Sequence, residues 1–177
     1  MVRRRGLLAT AALVGVLLLP ASGSADPRGA LSSATELQSA LVQQVNALRA
    51  KHGLARLRLS GALNTAANAH SVQMARMGYF SHNSAGGASC GTRIARYYPA
   101  RGYRSWSVGE NLLWGSPNIG AARALALWLS SPGHRANLLS SRWREIGLAA
   151  VHSTSAPGVY GGSPTTIVTA DFGARAR

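Results

Sequence analysis

The stretch Trp128-Leu-Ser-Ser-Pro-Gly-His-Arg-Ala-Asn-Leu-Leu139 constrains this chain most, because it allows only a joint between two helices. Ala121, Ala122, Leu125, Trp128 and Leu129 recur at helical spacing and close one apolar stripe. Ser130 or Ser131 can cap a second helix, since a hydroxyl there accepts from its free N–H groups. Pro132 suits the first helical position, where its missing N–H costs nothing. Leu138 and Leu139 then anchor the new helix. His134 is thus fixed at a helix start beside flexible Gly133, a place from which a side chain can reach a cleft.

The remaining elements follow from the same signals. Ser33 with Glu36 reads as a capping box. Leu37, Leu41, Val45 and Leu48 continue that helix to Lys51, and Gly53 stops it. Residues 26–33 are expected to be a short linker. Ser60 caps a second helix on which Leu63, Ala67, His70, Met74 and Met77 form one stripe, ended by Gly78. His70 lies on that stripe, so a core histidine with a hydrogen-bond partner is expected. Thr92 to Tyr98 is expected as a short helix with Ile94 inward. Trp106 to Trp114 is extended and apolar apart from Gly109-Glu110-Asn111. Strands are expected at Ile146–Val151 and Thr165–Phe172, joined by a Gly- and Ser-rich hairpin loop over Thr154–Pro164. Helices first and a hairpin last give an α+β domain with a mostly antiparallel sheet.

Glu110 is the most informative residue. It is one of four acids after Asp26, and an acid in an apolar segment is costly unless it meets a cation, a donor or a metal. Either a salt bridge to one of the many arginines or a ligand-binding role satisfies that need.

Residues 1–25 have the form of a secretory signal peptide. Arg3, Arg4 and Arg5 precede an apolar run from Leu7 to Leu19, and Ala21-Ser-Gly-Ser-Ala25 supplies small residues for cleavage. The run is shorter than the about 20 residues a membrane span needs. A secreted protein, outside the cell or in its envelope, is therefore expected. Cleavage would leave 16 of the 19 basic residues against 5 acidic ones, a net +11. Such a field favours anionic cell-wall or lipid surfaces. Nucleic acid has no specific claim, because no recognisable reading motif is present. Cys90 is the single cysteine, so no internal disulfide is available, and a buried or incidental thiol is expected there.

Four pieces in order resemble bacterial members of the CAP superfamily, which also holds cysteine-rich secretory proteins, venom antigen 5 and plant pathogenesis-related proteins. They are Tyr79-Phe-Ser-His82, Gly109-Glu-Asn-Leu-Leu113, Ser131-Pro-Gly-His-Arg-Ala-Asn-Leu-Leu139, and Ile146-Gly-Leu-Ala149 followed by Ala170-Asp-Phe-Gly173. The resemblance covers roughly residues 38 to 173, within a domain set at 34–175. It implies an α-β-α sandwich and a cavity lined by His82, Glu110 and His134. Where many members place a second acid this chain has Ser131. Ser131 and Asn83 are expected to line the cleft, with Asn111 close to it in sequence.

Two imidazoles and a carboxylate can hold a divalent metal, zinc first, at His82, Glu110 and His134. Without metal the same groups can form a hydrogen-bonded cluster. The leading expectation is a monomeric binding module for a metal or small ligand, without a defined catalytic residue. The alternative is a metal-dependent hydrolase acting on peptide, wall or ester bonds. A serine hydrolase is unsupported, since no Gly-x-Ser-x-Gly elbow occurs.

Overall fold

The structure, a computed structural model, describes residues 27–177. The expected signal peptide lies outside the described residues. Five helices and four strands follow in the order α1 (Pro27–Lys51), β1 (Arg58–Leu59), α2 (Gly61–Met77), α3 (Cys90–Ala95), β2 (Ser105–Gly115), α4 (Ala121–Ser130), α5 (Pro132–Leu138), β3 (Glu145–Ala156) and β4 (Ser163–Ala176).

The joint forms as its sequence requires. Ser131 is extended (φ −97°, ψ 119°), ends α4 and starts α5, and Pro132 opens the new helix. Its hydroxyl makes no capping bond, so the turn rests on backbone and on Pro132. Residues 27–33 are helical rather than a linker: α1 is already running from Pro27, the first described residue, so the Ser33 capping box does not begin a helix. The short helix begins two residues earlier than expected, because Ser89 caps it by accepting from Thr92 N–H at 3.1 Å. Both hairpin strands also outrun their apolar cores. Small Ser, Thr and Ala residues keep the β3–β4 ladder in register to Ser153, and a bulge carries it on to Ala156 and Ser163.

The sheet order is β1-β3-β4-β2, antiparallel except for the two-residue β1–β3 pair. Strand parity sorts its side chains to two faces. Leu113, Val168, Ala170 and Phe172 meet Leu41, Val45, Trp128, Leu138 and Trp143, which puts α1, α4 and α5 on one face. Leu112 and Ile167 meet Met74 and Ala75, while Leu63 and Ala66 pack with Ile94 and Tyr98, so α2 and α3 cover the other. The result is an α-β-α sandwich, in agreement with the sequence reading. Among the described residues no helix is long and apolar enough to cross a membrane.

This topology places β2 at the sheet edge, between the two helical layers. Glu110 and Leu112 face the α2 side, and Asn111 and Leu113 face the α4–α5 side. Groups from both layers can therefore meet around the rim of β2.

Candidate functional site

The site is assembled on that rim. His82 follows α2 on a ledge that side chains hold firmly. Val159 N–H bonds to the Gly78 carbonyl at 2.9 Å and Tyr160 O–H to the Tyr79 carbonyl at 2.8 Å. His70 Nε2 lies 2.9 Å from the Ser81 carbonyl and Arg93 Nη1 donates to the His82 carbonyl at 2.8 Å. Four carbonyls in five residues are thus gripped from three directions. His70 is the expected core histidine, fully buried with one partner. Burial first lowers its proton affinity, partly offset by the Glu110 charge. The Nε2–H that bonds to Ser81 leaves Nδ1 as the lone-pair atom, and it has no partner.

Glu110 meets two groups. Its Oε1 sits 2.8 Å from His82 Nδ1, and its Oε2 receives the guanidinium of Arg93. The salt-bridge reading of Glu110 therefore holds, and the same carboxylate also meets His82. Its side chain is 1% exposed and that of Arg93 6%, whereas His82 keeps 44% of its side chain in contact with solvent. The pairing orients the imidazole. With Nδ1–H donated to the carboxylate, the neutral ring presents Nε2 outward as an acceptor.

His134 approaches from the other layer. Asn111 Nδ2 donates to its carbonyl at 3.0 Å, and Asn137 Nδ2 bridges the Glu110 carbonyl at 3.0 Å and Asn111 Oδ1 at 2.9 Å. These amides tie α5 to the open edge of β2. Gly109 completes the fit, since a Cβ there would stand 2.7 Å from the Trp143 ring and 3.2 Å from Asn137 Oδ1. The Gly-Glu-Asn motif thus has a role at each position: close approach, histidine orientation and helix anchoring. Burial first, then the His82 charge, lowers the proton affinity of His134. Its ring has no protein hydrogen-bond partner among the described residues, and neither nitrogen is a buried orphan. The two rings lie side by side with centroids 6.5 Å apart and planes tilted by 53°.

Asp171 was not singled out by the sequence reading, though it is an acid inside an apolar strand, the same signal that marked Glu110. It pairs with Glu110 across the β2–β4 ladder and is fully buried. Because the Glu110 carbonyl points out to Asn137, this is a non-hydrogen-bonded pair, the kind whose side chains lie closer. Neither Asp171 oxygen receives a donor from the protein. Burial, then the Glu110 charge, push its carboxyl well above the ordinary range, with Arg93 opposing them. With neither oxygen paired, the neutral, protonated acid is the form that this burial favours. Arg93 offered no sequence signal, being one arginine among many.

The structure brings His82, Glu110 and His134 together. Asn83 is exposed and Ser131 half-buried, and the side chain of neither bonds to the other three among the described residues. Both Glu110 oxygens already face protein donors, and among the described residues no group of three or more His, Cys, Asp and Glu side chains is arranged to hold a metal ion. The donor chemistry that remains for an ion is two imidazoles, one of them oriented by a carboxylate. Cys90 is half-buried, and burial, reinforced by Glu110 and Asp171, pushes its thiol up to about 12. A cavity of about 380 Å³ lies apart from the site, walled by Leu37, Ala40, Ile119 and Ala121 with His152 and Thr166.

Comparison with known proteins gives this geometry a family. The model of the cysteine-rich secretory protein family, CAP, matches residues 42–172. YkwD of Bacillus subtilis is 30% identical over 124 residues, which is 70% of this chain and 46% of that protein. YlbC of the same organism, described as a membrane protein, is 30% identical over 135 residues, 76% of this chain and 36% of its own length. The chain thus spans less than half of the curated relatives it matches. Among solved structures, an extracellular protein containing an SCP domain from Bacillus anthracis superposes with a TM-score of 0.67 at 26% identity, over 88% of this chain and 45% of the other. An outer surface protein from Borrelia burgdorferi shares the fold with a TM-score of 0.64 at 22% identity, over 79% and 93% of the two chains. On the extent of the family match and of these relatives, the chain belongs to the cysteine-rich secretory protein (CAP) family.

Proposed function

We propose that this protein is a binding module of the cell exterior or envelope, whose cleft presents His82 and His134 to a small ligand or a divalent ion. The observation that carries this reading is the chain Arg93–Glu110–His82. Two buried charged groups serve to orient one half-exposed imidazole that lies beside a second. A structural ion pair needs only Arg93 and Glu110; the outward ring is surplus to folding. The extracellular and outer-surface descriptions of the structural relatives support the location. The excess of basic residues suits an anionic wall or lipid surface near the ligand.

Calorimetry tests the reading with two probes, zinc chloride and the soluble fragments that lysozyme releases from bacterial sacculi. A saturable one-site isotherm is expected from one of them, lost in a folded His134→Ala variant. Absence of saturable heat from both, or an isotherm that His134→Ala leaves unchanged, refutes it.

A further inference from the structure

The spacing of the two imidazoles bears on which ligand they suit. For two imidazoles aimed at one tetrahedral zinc, with N–Zn bonds of about 2.0–2.1 Å, the ring centroids stand about 5 Å apart. For an oxygen hydrogen-bonded to both nitrogens at about 2.8 Å, a tetrahedral angle puts them about 6.4 Å apart. The observed centroid distance is 6.5 Å. Resting on the cleft reading above, we infer that the His82–His134 pair seats a hydroxyl oxygen of a neutral, water-soluble ligand of the sugar or polyol class, rather than a metal ion.

Three further observations agree. First, the hydrogen-bond roles match a hydroxyl. His82 Nδ1–H is committed to Glu110, so the neutral ring offers only an acceptor at Nε2, which an O–H satisfies. The same oxygen keeps lone pairs for an N–H from His134, whose ring has no competing protein partner among the described residues. Second, the charge is already balanced. Arg93 matches Glu110, and both Glu110 oxygens already meet protein donors, so a cation arriving at the two rings finds no unpaired Glu110 oxygen. Third, His82 keeps 44% of its side chain in contact with solvent, while the cavity of about 380 Å³ beside Leu37 and Ile119 lies elsewhere on the fold.

The test uses three probes on the purified protein with 15N-labelled histidine: tri-N-acetylglucosamine, its per-O-methylated derivative, and zinc chloride. With a chelator present, the trimer is expected to bind saturably and to move the His82 Nε2 and His134 ring signals. Methylation, which removes the O–H donor, should weaken binding at least tenfold. His134→Ala should do the same, as should Glu110→Gln, whose loosened His82 ring is a readout that a purely structural role would not move. Equal binding of the methylated sugar overturns the inference. So does one-site zinc binding that shifts both rings while the trimer does not bind, although the cleft reading then survives. No shift of either ring with any probe overturns both.

Discussion

Replacing Asp171 with asparagine tests whether the site is built on a protonated acid. Asp171 is 0% exposed, neither oxygen has a protein donor, and its nearest charges are Glu110 and Arg93, with Cys90 close by on α3. Its folded-state proton affinity is raised, by burial foremost. A group of this kind contributes stability that is fully present below its unfolded pKa of about 3.9 and is lost as pH rises through its folded pKa. Within that window the folded state holds one proton that the unfolded state has released. Stability then falls by about 1.4 kcal/mol per pH unit, or about 4 °C in melting temperature for a domain of this size. The Asp171→Asn variant has no proton to lose at this position, so it escapes the fall. Its new amide can donate to Glu110 in place of the acid proton, but a second N–H left unpaired would cost about 1–3 kcal/mol at every pH. The diagnostic is therefore the slope and not the offset. Urea melts of chelator-treated parent and variant, followed by circular dichroism from pH 4 to 8, should give a difference that moves in favour of the variant at about 1.4 kcal/mol per unit and then levels off at the folded pKa. Groups that do not touch Asp171 are the same in both proteins, so their contributions cancel to first order. A difference independent of pH would mean that Asp171 is ionised in the fold, and the protonated acid at this position would have to be abandoned.

Two other substitutions probe the scaffold beneath the site. A Cβ on Gly147 would lie 2.1 Å from the backbone of Leu63 and Asn64, so Gly147→Ala must push α2 off β3; a loss of about 3 kcal/mol or more is expected in the same urea melts, and a loss under about 1 kcal/mol would show that α2 does not seat on that glycine. With its thiol at about 12, Cys90 should react with a disulfide reagent at pH 8 about a thousand times more slowly than a free thiol, a rate to be compared with that of a Cys90→Ser control; full reactivity within the time of the free thiol would place Cys90 outside the buried, carboxylate-flanked setting described above.

The joint at Trp128–Leu139 was legible because its signals are local: an apolar stripe, a proline at a helix start, and two anchoring leucines. The same holds for Ser60 and Gly78, which bound α2. Glu110 and His82 were also legible, through an acid in an apolar run and through family resemblance. What escaped was relational. Arg93 contributes because α3 delivers its guanidinium to Glu110 and to the His82 carbonyl, and nothing in Arg93-Ile-Ala distinguishes it from more than a dozen other arginines. Asp171 carried the right signal but faced Glu110 only through the strand register, which parity and a long hairpin decide together. The helical state of residues 27–33 was hidden by a capping box that matched its pattern without standing at a helix end.

The position of the site at the sheet edge explains why its polar groups are tolerated at all. In a central strand, Glu110 would have been enclosed on both sides and its outward partner would have had no exit to solvent. On the rim of β2 one layer supplies Arg93, which neutralises the carboxylate at depth, and the carboxylate in turn points His82 outward. The other layer supplies Asn137, which caps the Glu110 carbonyl on the open edge of β2 and is itself tied to Asn111. Arg93, Glu110, His82 and His134 each meet a partner or reach solvent, whereas both oxygens of Asp171 lack a donor. That arrangement is tolerable only while the acid keeps its proton. The orientation of His82 and the pH dependence of folding are consequently two readouts of one buried pair, Glu110 and Asp171, and a change in either carboxyl should register in both.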